Sequence, residues 1–141
     1  MVEKKEILLI IIILICVSML EIITCNIENE SINKVSNELD NIVNRIRNAI
    51  ELRDNNNLDN DEKNDMAETI RNFKDFWISE QNKLSIFVEH DELEKVTESL
   101  IILEENSRNE EFEEALSNSA EFKYWLYHFE EKGKLKIKNI F

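Results

Sequence analysis

The sequence predicts an all-α fold, in which an N-terminal transmembrane helix is followed by an antiparallel bundle of about four helices and an extended C-terminal tail. Three observations carry this. Ile7–Leu20 is apolar except for Ser18; 141 residues contain no proline and one glycine; and beyond residue 30 apolar residues recur at steps of three and four.

The apolar run continues past Glu21 through Ile22 and Ile23 toward Cys25. At ~1.5 Å per residue it matches the ~30 Å hydrocarbon core of a bilayer. Residues 1–25 therefore read as leader and membrane anchor, and 26–141 as a separate acidic helical bundle. Lys4 and Lys5 precede the run, whereas Glu28 and Glu30 follow it before the first cation, Lys34. That asymmetry predicts a single-pass protein of the cell membrane, with a cytoplasmic N-terminus and an extracytoplasmic bundle. A cleaved signal peptide competes with this reading, but Ile22-Ile23-Thr24 lacks the small residues that cleavage requires. Lipid attachment at Cys25 is the next alternative. Glu21 is costly within an apolar run unless it reaches the headgroups or contacts a partner membrane helix, which makes it a candidate interaction residue.

The formal net charge is −13, and residues 1–25 hold two lysines against three glutamates, so −12 falls on 26–141. Phosphate backbones and anionic lipid surfaces would repel so acidic a domain as a whole, and nucleic acid is not an expected partner. Cys16 and Cys25 are the only cysteines. Nine residues apart on one helix, they are separated by ~13 Å and cannot pair within the chain.

Ile32, Val35, Leu39, Ile42, Ile46 and Ala49 form the first bundle stripe, continuous with the span or closely following it. Asn33, Asn37, Asn41, Asn44 and Asn48 lie between them. Asparagine is a mediocre helix former, so packing must hold this helix. Asp54–Asn60 breaks the pattern, and Asp59 with Glu62 has capping-box spacing, which starts a second helix near residue 60. Met66, Ile70, Phe73, Trp77 and Leu84 mark its buried side. The short loop makes the first two helices an antiparallel hairpin.

Asp91 and Glu94 repeat the capping-box spacing, predicting a boundary near Glu89–Asp91 and a third stripe of Leu93, Val96, Leu100 and Leu103. Ser107 with Glu110 predicts a turn over Asn106–Asn109. The fourth stripe is Phe112, Ala115, Ser119, Phe122, Leu126 and Phe129, with small residues at Ala115, Ser119 and Ala120 for close helix approach. Gly133 is expected to stop this helix. Leu135, Ile137, Ile140 and Phe141 are expected to lie extended against the helices.

Several of these features resemble a family of short, single-span, membrane-anchored helical proteins of uncharacterised function, found mainly in clostridia and related low-GC Gram-positive bacteria. They are the Lys-containing leader, the Ile/Leu-rich span, Trp77, His90-Asp91-Glu92-Leu93, Leu126-Tyr127-His128-Phe129-Glu130-Glu131-Lys132 and the Asn139-Ile140-Phe141 ending. The resemblance covers essentially the whole chain. The sequence departs from the family in having Phe129-Glu130 where members commonly carry a proline after the second histidine. The resemblance implies an anchored extracytoplasmic helical domain and no established catalytic residues.

Chemistry-bearing motifs are sparse. His90 and Glu94 share one face of a turn, and an antiparallel arrangement would return His128 toward His90, but H-E-x-x-H spacing is absent and a metal site needs further ligands. No cysteine lies outside the anchor, and no Gly-flanked serine or phosphate loop is present. Acidic doublets such as Glu104-Glu105 and Glu113-Glu114 read as solvated helix faces. Asp59-Asn60-Asp61-Glu62 lacks the glycine and distal glutamate of a calcium loop.

The sequence therefore predicts a non-enzymatic protein without cofactor or metal, acting as an interaction or accessory module at the cell envelope. Its expected partners are the lipid bilayer and another protein, with a membrane protein of the same envelope as the first candidate. Candidate interaction residues are Glu21, Cys25, Trp77, His90, Trp125 and His128. The alternatives are self-association through the Ile32–Ala49 stripe, which has coiled-coil spacing, and, less favoured, a metal-binding or enzymatic domain using His90 and His128.

Overall fold

The first helix has two parts of different character. In the computed structural model, which describes residues 4–138 with side chains as far as Lys134, α1 runs unbroken from Lys4 to Asp54. From Ile7 to Ile23 its large apolar side chains are exposed, whereas Ile32, Val35, Leu39, Ile42, Ile46 and Ala49 are buried. The asparagines between them face outward. The apolar segment is long enough to cross a membrane.

Helices α2 (Asn60–Leu84), α3 (His90–Arg108) and α4 (Phe112–Lys138) complete the bundle. α1 packs against α2 and α4, and α3 packs against α4 and α2, giving an up-down-up-down ring. The expected stripes supply the core. Met66, Ile70, Phe73, Trp77 and Leu84 of α2 are buried, as are Leu93, Val96, Leu100 and Leu103 of α3. So are Phe112, Ala115, Phe122, Leu126 and Phe129 of α4, with Ser119 among them, whereas Ala120 is exposed. At the centre Phe122 lies 5.5 Å from Phe73 and 5.3 Å from Trp77, the latter edge-on. The buried indole of Trp77 donates from Nε1 to Thr97 Oγ1 at 2.9 Å.

At least one ion pair ties each neighbouring pair of helices across the surface. Arg45 meets Asp65, Lys74 meets Glu104 at 2.7 Å, Lys132 meets Glu92 at 2.7 Å, and Lys123 meets Asp40 at 2.6 Å. At the far end Arg53 grips Glu113 at 2.6 Å. Exposed pairs of this kind contribute little each, about 0–1 kcal/mol. Their value lies in fixing register between helices whose apolar stripes are otherwise similar.

Asp59 caps α2 as expected, its side chain accepting the Glu62 amide at 2.9 Å. The α2–α3 boundary falls where it was expected, within Glu89–Asp91, but with a different cap, and the α3–α4 turn comes later than expected. α3 begins at His90 with Glu89 as an extended N-cap that makes no side-chain bond, so Asp91 lies inside the first turn. Burial of Val88 and Leu93 places this boundary. α3 also runs through Ser107, whose side chain is buried on the stripe that includes Leu100 and Leu103. The turn comes later, with Glu110 at φ 62 and the Glu111 amide donating to the Asn106 carbonyl at 2.8 Å.

Gly133 does not end α4. Its φ is not positive, and the helix continues to Lys138. The expected extended tail is therefore helical from Leu135 to Lys138, while its Asn139-Ile140-Phe141 end lies outside the described residues. Gly133 is instead buried where α4 passes α1, and a Cβ there would stand 3.4 Å from a Glu28 carboxylate oxygen.

Two substitutions test this core. Thr97→Val leaves the indole N–H without its acceptor and should lower stability by about 1–3 kcal/mol in urea unfolding. Gly133→Ala places a methyl at ordinary van der Waals distance and should be neutral or stabilising by up to about 1 kcal/mol, whereas Gly133→Leu should destabilise.

Candidate interaction surface

At one end of the bundle, next to the apolar segment, α1 enters, α2 leaves, α3 enters and α4 leaves. Here three carboxylates occupy positions on the apolar stripes. Glu28 lies four residues before Ile32, Glu80 lies between Trp77 and Leu84, and Glu92 lies four before Val96. Glu28 and Glu80 are buried, and the Glu92 side chain is only 13% exposed.

Buried carboxylates require partners, and residues of the same and of neighbouring helices supply them. Lys83 Nζ donates to Glu80 at 2.6 Å, and the Ser31 hydroxyl also donates to it. Glu92 accepts from Lys132 at 2.7 Å and lies 3.3 Å from His128 Nε2. Lys132 also approaches Glu89 at 3.6 Å. A cavity of about 90 Å³ lies among Glu28, Phe87, Glu92, Phe129 and Lys132.

Burial pushes the Glu92 carboxyl up, but the Lys132 ammonium and the His128 ring outweigh it and hold the group below the usual carboxylate range. Glu80 behaves alike, with burial opposed by Lys83 and Ser31. The Lys132 ammonium is correspondingly raised, chiefly by its bond to Glu92.

Beside this end, α3 and α4 present an aromatic and cationic face. The Tyr124 and His128 rings are stacked with centroids 6.5 Å apart, and Trp125 meets both edge-on at 5.8 and 5.7 Å. Lys95 Nζ lies 4.9 Å from the Trp125 ring centroid. Tyr124 and Tyr127 are exposed, and Trp125 and His128 are partly so. These rings are contributed by α4, and Lys95 reaches them from α3.

The sequence-derived candidates divide accordingly. Trp125 and His128 come together in this face. Trp77 is a correction, because it is fully buried in the core and presents no contact surface. His90 is exposed at the start of α3. Among the described residues, no group of three or more His, Cys, Asp or Glu side chains is placed to hold a metal ion. Glu21 is exposed on the apolar segment, its carbonyl accepting from Thr24 Oγ1 at 2.9 Å. Cys25 is partly buried and accepts from Asn29 Nδ2 at 3.4 Å; it and Cys16 are both free thiols.

Sequence reasoning missed Glu28, Glu80 and Glu92 as buried groups, although their stripe positions carried the signal. It also missed Tyr124 and Lys95, which carry no periodic signal because they lie off the stripes.

A family model described as a domain of unknown function (DUF4363) matches residues 26–140. The chain belongs to the DUF4363 family. The match takes in the bundle and leaves out the apolar segment, so the DUF4363 domain here corresponds to the four packed helices. No curated protein and no solved structure matches the chain.

The ion pair at the base of the DUF4363 domain makes stability depend on acidity in a defined direction. A carboxyl held low in the folded state stabilises above its unfolded pKa, and that contribution is lost as pH falls through the folded value. Glu92→Gln should therefore be less stable than the parent at pH 7, with the gap closing below about pH 4. Chemical denaturation across that range reads the difference, and a gap that stays constant with pH would contradict the ion-pair account.

Proposed function

We propose that the chain is a single-pass membrane protein with a cytoplasmic N-terminus, and that its bundle is a non-enzymatic module binding another protein of the cell envelope. The observation that carries this reading is the division of α1. Its apolar segment is exposed all round, which is stable only in lipid or against a partner, while the same helix farther on buries its stripe in the bundle. The lysine asymmetry around the segment supports the orientation.

The Tyr124, Trp125 and His128 face with Lys95 is the surface assigned to the protein partner. Aromatic side chains with polar tips, held by rigid helices, lose little entropy on binding. Self-association has less support, because the Ile32–Ala49 stripe that suggested it is used within one chain.

Two measurements test the reading. A membrane-impermeant maleimide should label Asn57→Cys in intact cells; labelling only after lysis would contradict the orientation. A photo-crosslinking residue at Tyr124 should give a protein adduct in native membranes, whereas the same residue at Asn37, exposed on α1, should not. Monomer alone at both positions would remove the partner-binding role.

A further inference from the structure

The end of the bundle that follows the apolar segment carries an apolar loop tip and a basic helix end, and both sit at the height where a bilayer surface would lie. Counted from Ile7, the ~30 Å hydrocarbon core is crossed in about 20 residues, near Asn26. The headgroup layer beyond it is about 5–7 Å thick. Glu28 falls within that layer, and no loop intervenes, because α1 is continuous.

Two other elements are fixed at the height of Glu28. The α2–α3 loop reaches it through Phe87 and Val88, which line the same small cavity as Glu28. The adjacent Ile86 is 76% exposed, the most exposed large hydrophobic residue described. α4 reaches it at Gly133 and continues five residues farther, about 7 Å, along the direction of the apolar segment. That final stretch carries Lys134, Lys136 and Lys138 alternating with Leu135 and Ile137.

We propose that this base is a second membrane contact, with Ile86 inserted at the hydrocarbon boundary and the end of α4 running through the headgroup layer to the edge of the hydrocarbon. The inference rests on the anchoring reading above, since α1 brings the base to the bilayer. An exposed isoleucine at a loop tip is costly in water and favoured at the interface. A helix end whose sequence alternates lysine with apolar residues suits the same layer. The contact fixes the tilt of the bundle on the membrane and leaves the α3–α4 aromatic face turned sideways, parallel to the surface.

The test uses the full chain in vesicles of phosphatidylcholine and phosphatidylglycerol. In a Cys16→Ser, Cys25→Ser background, Leu14→Cys, Ile86→Cys and Asn57→Cys each carry an environment-sensitive fluorophore. Equal helix content by circular dichroism establishes that the three fold alike. The label at 86 should shift to the blue and lose emission to a headgroup nitroxide lipid, the label at 14 should lose emission to an acyl-chain nitroxide, and the label at 57 should respond to neither. If 14 is quenched and 86 behaves like 57, the base contact is overturned while anchoring stands. If 14 is not quenched, anchoring fails and the base contact fails with it.

Discussion

The structure depends on one helix that changes character without a break. Where α1 is apolar on every side its side chains are exposed among the described residues, and where its apolar residues narrow to one stripe, that stripe becomes the wall on which α2 and α4 assemble. The change occurs within two turns around Cys25–Ile32 and needs neither proline nor glycine, so the junction is stiff. A flexible linker would let the bundle explore any orientation. A continuous helix fixes its height and limits its tilt.

The same constraint explains the polar base. Helices that gather beside a junction of this kind bury groups that packing alone would exclude, and Glu28, Glu80 and Glu92 are tolerated because Ser31, Lys83, Lys132 and the close approach of Gly133 accommodate them. Replacing such pairs by hydrocarbon is often neutral or stabilising, so they are better understood as fixing which helices meet at this end. Their consequence is local order at the base, where α4 is held against α3 by Lys132 and against α1 at Gly133.

Much of this architecture was legible in the sequence because the stripes are regular. Every apolar residue assigned to a stripe lies in the core, from Ile32 through Phe129, since a 3.6-residue period leaves no other face to bury. The Asp59 cap was equally legible, as its side chain has one local task. Signals that depend on tertiary contact were not. Asp91 and Ser107 have the spacing of caps, but Glu89 is the cap residue at the first junction, and at the second Ser107 is buried within α3 and the turn comes later. Gly133 looks like a stop signal when read alone, and only the passage of Glu28 beside it shows a close approach. The aromatic face was half visible, through Trp125 and His128, while Lys95 joins it from a different helix.

The family assignment places the four-helix domain among relatives without supplying a chemistry, and the structure concentrates its distinctive groups at the base and on the α3–α4 face. Both surfaces owe their position to the unbroken first helix. The most direct test is therefore a distance across it, measured by pulsed electron paramagnetic resonance between spin labels at Ile23→Cys and Asp54→Cys in the Cys16→Ser, Cys25→Ser chain reconstituted in bilayers. A continuous helix predicts a narrow distribution centred near about 46 Å. A broad distribution, or one centred well below that, would mean that the helix bends or breaks between the two labels and would contradict the account.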